Sequence, residues 1–318
     1  MQFLFQPLNH LRPIRAWAAS RGGEVEFDVA TFVLSISVGS RSCRLIPRFS
    51  IRTANGLAYT NVFGEQGAFV GWLPYDVRRW PAATDKVIFK QWCSEQGLRT
   101  PEWGFEPLGP NVDYLVKGRR GSFGKGISGP FAAGAAEPHG GLPSDCIYEA
   151  FKFGRAAKAW YWRDRPLAVE VIDPPHVLGD GHRSIEALLT QVRGSFDKSY
   201  SPENARPLLA WQGLLATDVP STGRKVWVGY KYVTDYDATV FRDRDAWATL
   251  DASVRGQFLE AGREFQRAIP AAMSDSVYTI DAVIDGQGVA WFLEMNCHPM
   301  VHPKVYDAVL TDLLAPPH

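Results

Sequence analysis

The sequence predicts an α+β fold, and three observations predict it. Short alternating runs between residues 25 and 73, "VATFVLSISV", "RLIPRFSI" and "LAYTNVF", are broken by Gly, Asn and Pro and read as a small β-rich region. Two stretches, "TDKVIFKQWCSEQG" and "SVRGQFLEAGREFQRAI", set apolar residues at helical spacing. A third, "YTIDAVIDGQGVAWFLEMNCHP" (278 to 299), reads as two strands about a Gly-containing turn.

The elements follow in chain order. The first helix takes Thr84 or Asp85 as its cap, carries Val87, Phe89, Trp92 and Cys93 on its apolar side, and stops at Gly97. "TPEWGFEPL" is a connector. "VDYLVKG" (112 to 118) is a strand running into the glycine-rich "GRRGSFGKGISG", and "CIYEAF" (146 to 151) is another strand. "PLAVEVIDPPHVLGDGHRS" gives a strand and a turn, in which Asp180 is expected to hold the backbone. "SIEALLTQV" is a short capped helix ending at Gly194, and "KVWVGYKYVTDYDATVF" is expected to be β. The helix carrying Val254, Phe258, Ala261, Phe265 and Ile269 is stopped by Pro270, and "KVYDAVLTDLL" closes the chain as a helix.

With 318 residues the chain is long enough for two domains or one composite fold. Its 34 basic residues balance 34 acidic ones, so no overall field favours nucleic acid or an anionic membrane surface. Any anion site is local. Cys43, Cys93, Cys146 and Cys297 are widely spaced and form no CxxC pair, which argues against a zinc ribbon or a disulfide framework. The opening "MQFLFQPLNHLRPIR" lacks a basic stretch followed by a long apolar run, and no later segment approaches a membrane-spanning length. A cytoplasmic protein is expected.

The last hairpin is apolar except for Asp281, Glu294 and Asn296. Strand side chains alternate, so Glu294 and Asn296 share one face. A two-residue loop (Asp285, Gly286) sets Asp281 opposite Ala290; a four-residue loop (Asp285 to Gly288) sets it opposite Phe292. Both partners are counted on the Glu294 face, which leaves Tyr278, Ile280, Ile284, Trp291 and Leu293 for the core. Two carboxylates and an amide on one face suit magnesium, which takes one or two protein carboxylates and completes its shell with water and phosphate oxygens. A hairpin with one solvated face shows the same pattern.

Glycines after the strand at 112 to 118 let backbone amides approach phosphate oxygens, and Arg119, Arg120 and Lys125 add charge. The Walker pattern fails because Gly126 follows Gly124-Lys125. "GKGISG" (124 to 129) matches GxGxxG, but neither a preceding strand end nor a following helix is in place. Lys117 ends a strand beside the loop and Lys86 lies at a helix start, both within reach of a phosphate.

Five segments in this order resemble the ATP-grasp carboxylate-amine ligases, most closely the branch containing cyanophycin synthetase and related amino-acid and peptide ligases. They are "TDKVIFKQWCSEQGLRTPEW", "YLVKGRRGSFGKGI", "YEAFKFG", "PPHVLGDGHRSIEALL" and "LEMNCHP", spanning roughly residues 84 to 303. The resemblance implies an ATP-grasp fold, two α/β subdomains with antiparallel sheets clamping ATP. Its division would be a β-rich region over 1–83, a lid subdomain over 84–147 and a C-terminal subdomain with the metal site over 148–318. Lys86 and Lys117 would meet the phosphates, and a loop including Gly121, Ser122, Phe123, Gly124, Lys125 and Gly126 would close over them. Glu149 would accept from the adenine amino group, with the backbone of Ala150 and Phe151 along the ring edge. Asp281, Glu294 and Asn296 would hold Mg2+, with Mn2+ as an alternative. His298 would touch substrate.

The implied reaction turns a carboxylate into an acyl phosphate and joins it to an amine, releasing ADP and phosphate. The expected partners are therefore a carboxylate and an amine acceptor, without nucleic acid or membrane, and a second copy of the chain is a further candidate. A kinase on the same fold and a nucleotide-binding scaffold without turnover are the rival readings. Five positions depart from the pattern. Ala156 stands where an acidic ribose ligand is usual, Lys158 where the branch often has Arg, Val171 and Ile172 replace an Arg pair, and Thr279 replaces an Arg found in D-alanine ligases. Stabilisation of the acyl phosphate would then fall to Lys158, Lys231, Arg242 or Lys225.

Overall fold

The computed structural model describes residues 7–53, 56–64, 67–121, 126–135, 141–191, 202–232 and 245–314. The chain opens with α1 (Pro7–Ala19), which the sequence reading did not anticipate. Pro13 lies inside it and argues locally against a helix, yet His10, Leu11, Ile14, Trp17 and Ala18 recur at helical spacing and are all buried. Their burial decides the outcome. A five-stranded antiparallel sheet follows, formed by β1 (Glu24–Phe27), β2 (Leu34–Val38), β3 (Arg41–Thr53), β4 (Gly56–Thr60) and β5 (Ala68–Leu73). The long β3 pairs with β2 through its first half and with β4 and β5 through its second.

Helix α2 (Lys86–Glu95) starts where expected, because the Asp85 carboxylate caps it by accepting from the Val87 amide at 2.9 Å. A second antiparallel sheet has the order β6-β9-β7-β8, from β6 (Trp103–Gly104), β7 (Tyr114–Gly118), β8 (Ile127–Phe131) and β9 (Cys146–Ala150). The third sheet carries the site. Its order is β11-β10-β14-β15, with β10 (Gly154–Trp162), β11 (Arg165–Ile172), β14 (Val277–Asp285) and β15 (Ala290–Asn296). Between β11 and β14 come β12 (His176–Leu178), α3 (Ile185–Leu189), α4 (Pro202–Trp211), β13 (Lys225–Trp227) and α5 (Ala252–Arg267), and α6 (Val305–Leu314) ends the described chain. The β expectation for 225 to 241 holds only over Lys225–Trp227 among the described residues, and 233–241 lie outside them. Gly194, expected to end α3, also lies outside them.

Alternation along the third sheet explains where the cleft opens. One face sends Ala157, Ala159, Tyr161, Ile280, Ala282 and Ile284 into a core with Phe89 of α2 and Phe258 and Phe265 of α5. Fully burying each such aromatic ring contributes about 2 to 3 kcal/mol. Helix α5 sits so close that a Cβ on Gly262 would meet the Asp164 carbonyl oxygen at 2.2 Å, so only glycine fits there. On the opposite face Trp160 and Trp162 pack with Trp72, Val301 and Tyr306 in a core shared by α1, the first sheet and α6. Tyr306 joins the two ends of the chain: its hydroxyl is 2.8 Å from His10 Nδ1 and accepts from the Trp72 amide at 2.9 Å. Beyond that core the same sheet face lines a cleft.

The register of the last hairpin differs from both counts made on the sequence. Ala282 pairs with Phe292 and Ile284 with Ala290, but Asp281 pairs with Glu294, because a bulge at Leu293 interrupts β15 between them. Ala290 and Phe292 therefore face the core, and the expectation that they share the Glu294 face is overturned. Trp291 and Leu293, assigned to the core from the sequence, lie outside that core, and Leu293 lines the cleft. Without the extra residue, Asp281 would face Leu293.

Candidate functional site

A cleft of about 1350 Å³, its open mouth included, is lined from both four-stranded sheets. Its floor is a row of charged residues crossing the third sheet strand by strand. Glu170 pairs with Lys158, Lys158 with Asp281, and Asp281 with Glu294. In the neighbouring row Trp160 pairs with Thr279, and Thr279 with Asn296. The bulge thus brings the two hairpin carboxylates face to face, with Asn296 Nδ2 at 3.5 Å from Asp281 Oδ2.

Cations answer these carboxylates. Lys158 forms an ion pair with Asp281, and Lys86 Nζ lies 2.9 Å from Glu294. Burial, helped by Glu294, pushes the Asp281 carboxyl up to about 6 against the pull of Lys158. Burial also works to raise Glu294, but Lys86 and Lys158 outweigh it and hold Glu294 below its ordinary value. Tyr232 donates its hydroxyl to Glu170, and its ring centroid lies 5.0 Å from Lys158 Nζ.

The second sheet supplies the facing wall. Lys117 bonds to Glu149, and Lys90 Nζ lies 2.6 Å from the other Glu149 oxygen while donating to Thr100 at 3.0 Å. Burial alone would raise Glu149, and the two ammonium groups reverse that. Glu149 was expected to accept from an adenine amino group; in this structure lysines hold both of its oxygens. The amides of Ala150 and Phe151 are likewise committed, to the carbonyls of Glu102 and Asp113 at 2.7 Å each. The Phe151 side chain joins Leu115, Ile127 and Tyr230 as an apolar wall.

The ends of the glycine loop lie beside these groups. Gly121 accepts from Lys86 Nζ at 3.0 Å, and Gly126 accepts from the Gly118 amide at 2.8 Å. Both glycines have positive φ, 122° and 69°, which few other residues adopt. Ser122, Phe123, Gly124 and Lys125 lie outside the described residues, as does Arg242. Arg119, expected to serve a phosphate, binds the Asp85 cap at 2.7 Å. Of the other cations proposed for the acyl phosphate, Lys231 lines the cleft, and burial together with Lys117 lowers its pKa. Lys225 instead stacks on Trp227 at 5.0 Å and does not line the cleft. His298 lines the cleft and meets the Tyr59 ring edge-on at 5.0 Å. Burial, then Arg48 and Arg79, lower its pKa to about 4.

The sequence reading missed Lys90, Glu170 and Tyr232. Lys90 stands four residues after Lys86 and so shares its helix face, a spacing that was available. Glu170 becomes visible only through its pairing with Lys158.

Comparison with family models and with curated proteins gives no match. Solved structures do match. A bifunctional glutathione synthetase from Pasteurella multocida is 17% identical over 97% of this chain and 45% of that one, with a TM-score of 0.45. A D-alanine–D-alanine ligase from Bacillus anthracis, complexed with ATP, is 12% identical over 68% of this chain and 56% of that one, with a TM-score of 0.35. An L-amino acid ligase from Bacillus licheniformis is 10% identical over 74% and 48%, with a TM-score of 0.38. The chain spans about half the length of these proteins. The mixed α/β class and its antiparallel sheets are read from the structure itself.

Proposed function

We propose that the chain is an ATP-dependent ligase of the ATP-grasp type, which activates a carboxylate as an acyl phosphate and joins it to an amine. The observation that carries the reading is the cleft's composition. One wall presents Asp281, Glu294 and Asn296 with Lys86 and Lys158, and the other presents Lys117 beside an apolar surface of Leu115, Ile127, Phe151 and Tyr230.

The donor set fits a divalent ion. Two carboxylates directly opposite each other repel unless a cation separates them, and here two lysine ammonium groups stand where such charge is needed. Asp281, Glu294 and Asn296 would hold Mg2+ or Mn2+, which when bound neutralises phosphate charge. The rest falls to the chain itself. Leu115, Ile127, Phe151 and Tyr230 take the base, while Lys86 and Lys117 receive the phosphate tail. A substrate carboxylate oxygen attacks the γ-phosphorus, the bond to the β-phosphate oxygen breaks, and ADP leaves. The amine nitrogen then attacks the acyl carbon, phosphate departs, and the amine's proton is lost to solvent. Lys158 and Lys231 are the described cations for the charge on the transferring group.

The division at 1–83, 84–147 and 148–318, the kinship with cyanophycin synthetase-like ligases, a cytoplasmic location and homodimer formation belong to the same proposal. Among the described residues no helix is long and apolar enough to cross a membrane.

The test incubates the chain with MgATP, hydroxylamine and a panel of acids. A ligase yields ADP and acyl hydroxamate in equal amounts, and Glu294→Gln lowers the rate of both by about a hundredfold or more. ADP with a phosphorylated hydroxyl product and no hydroxamate establishes the kinase instead.

A further inference from the structure

Beside the carboxylate row the cleft continues into a second pocket of about 720 Å³, its open mouth included, on the side of the first sheet. Tyr59 of β4, Arg79 and His298 line it, and it shares Lys86, Glu294 and Asn296 with the main cleft. Polar atoms at this junction are left unmatched among the described residues. Both ring nitrogens of His298 are shielded from solvent and make no hydrogen bond. The Thr279 hydroxyl, on a side chain 1% exposed that lines the cleft beside Asn296, has no partner either. Behind the wall, fully buried Arg48 binds Asn61 through Nε and the Tyr75 carbonyl through Nη2, each at 3.1 Å, while Nη1 is unmatched.

Buried donors left without acceptors cost free energy that a bound ligand can recover. Charge indicates the ligand's sign. Lys86 is matched by Glu294, and Asp85 by Arg119. That leaves Arg79 on the wall and Arg48 behind it, with exposed Asp76 as the nearby acid. The pocket therefore presents exposed Arg79, which has no carboxylate partner among the described residues, and shares Lys86 and Asn296 with the cleft where a substrate carboxylate would be activated.

Resting on the ligase reading above, we infer that the acid substrate carries a second carboxylate, which enters this pocket toward Arg79 and His298 while the reacting carboxylate lies at Asn296 and Lys86. The first sheet then acts as a specificity wall through Tyr59. A monocarboxylic acid of the same length would leave Arg79 unmatched.

The experiment compares the diacids from succinate to suberate with the monoacids of equal chain length, using the full chain. Calorimetry and thermal shift read binding in the presence of MgADP, and ADP release from MgATP reads turnover. At least one diacid should bind about tenfold more tightly than its monoacid, the worth of one charge-assisted hydrogen bond. Arg79→Gln, at an exposed position where folding is not at stake, should bring that ratio close to one, and His298→Phe should reduce it. Equal affinities throughout the series, or a ratio that survives Arg79→Gln, overturn the subsite whatever the turnover. Diacid binding that depends on Arg79 without ADP release under any acceptor supports the subsite and removes the ligase reading.

Discussion

Glu149 is the hub of a buried charge cluster, and removing it should be far more damaging than removing either lysine. The side chains of Lys90, Glu149 and Lys117 are 0%, 2% and 7% exposed, so solvent screens none of them well. Glu149→Gln leaves two ammonium groups facing a neutral amide in a low-dielectric setting. Breaking a buried pair from one side costs about 3 to 5 kcal/mol. Lys90→Met leaves the Glu149–Lys117 pair intact and replaces a fully buried ammonium by an apolar chain of similar length. It forfeits the ion pair with Glu149 and the bond to Thr100 but recovers the desolvation of a fully buried ammonium, so the net cost should be well below that of Glu149→Gln. Urea unfolding followed by tryptophan fluorescence and far-ultraviolet dichroism gives both values, provided the slopes agree among variants. If Lys90→Met costs as much as Glu149→Gln, Lys90 is no accessory to Glu149 and the account of this wall is wrong.

Three further outcomes are expected. Glu294→Gln should lower turnover by about a hundredfold or more and should also lower the melting temperature, because Lys86 and Lys158 hold this carboxylate below its ordinary pKa and its charge therefore stabilises the fold. His298 gives a pH signature: above 6.5 it is neutral in both states, and between 6.5 and about 4 only the unfolded chain takes up the proton. Stability should therefore fall by up to about 3 kcal/mol as pH drops through that window, and His298→Phe should flatten the slope, as read from urea midpoints. Gly262→Ala should cost about 2 kcal/mol or more, because its Cβ collides with the Asp164 carbonyl and neither backbone can yield; a melting temperature unchanged within 2 °C would contradict that packing.

Much of this architecture could be read from residue order. The cap at Asp85, helix α5 and the closing hairpin all announce themselves, because apolar spacing and capping chemistry act locally. The hairpin's faces could not be read. Trp291 and Leu293 are as apolar as the true core residues Ala290 and Phe292, so alternation gives no hint of the bulge that exchanges them. Helix α1 was obscured for the opposite reason: Pro13 is a local signal against a helix, and only the packing of Trp17 and Ile14 against distant residues overrides it. The cluster around Glu149 joins residues from α2, β7 and β9, a juxtaposition no spacing rule reaches.

The contact between Tyr306 and the Trp72 amide also has a bearing on biosynthesis. The two residues lie 234 positions apart in the chain. At about 5 to 20 residues per second, a ribosome needs roughly 10 to 50 s between delivering one and delivering the other. Throughout that interval the aromatic face carrying Phe69 and Trp72 lacks the helix that finally covers it. The nascent protein thus passes through a prolonged stage with sticky surface on display, and its yield in cells should track chaperone supply more closely than the stability of the finished molecule suggests.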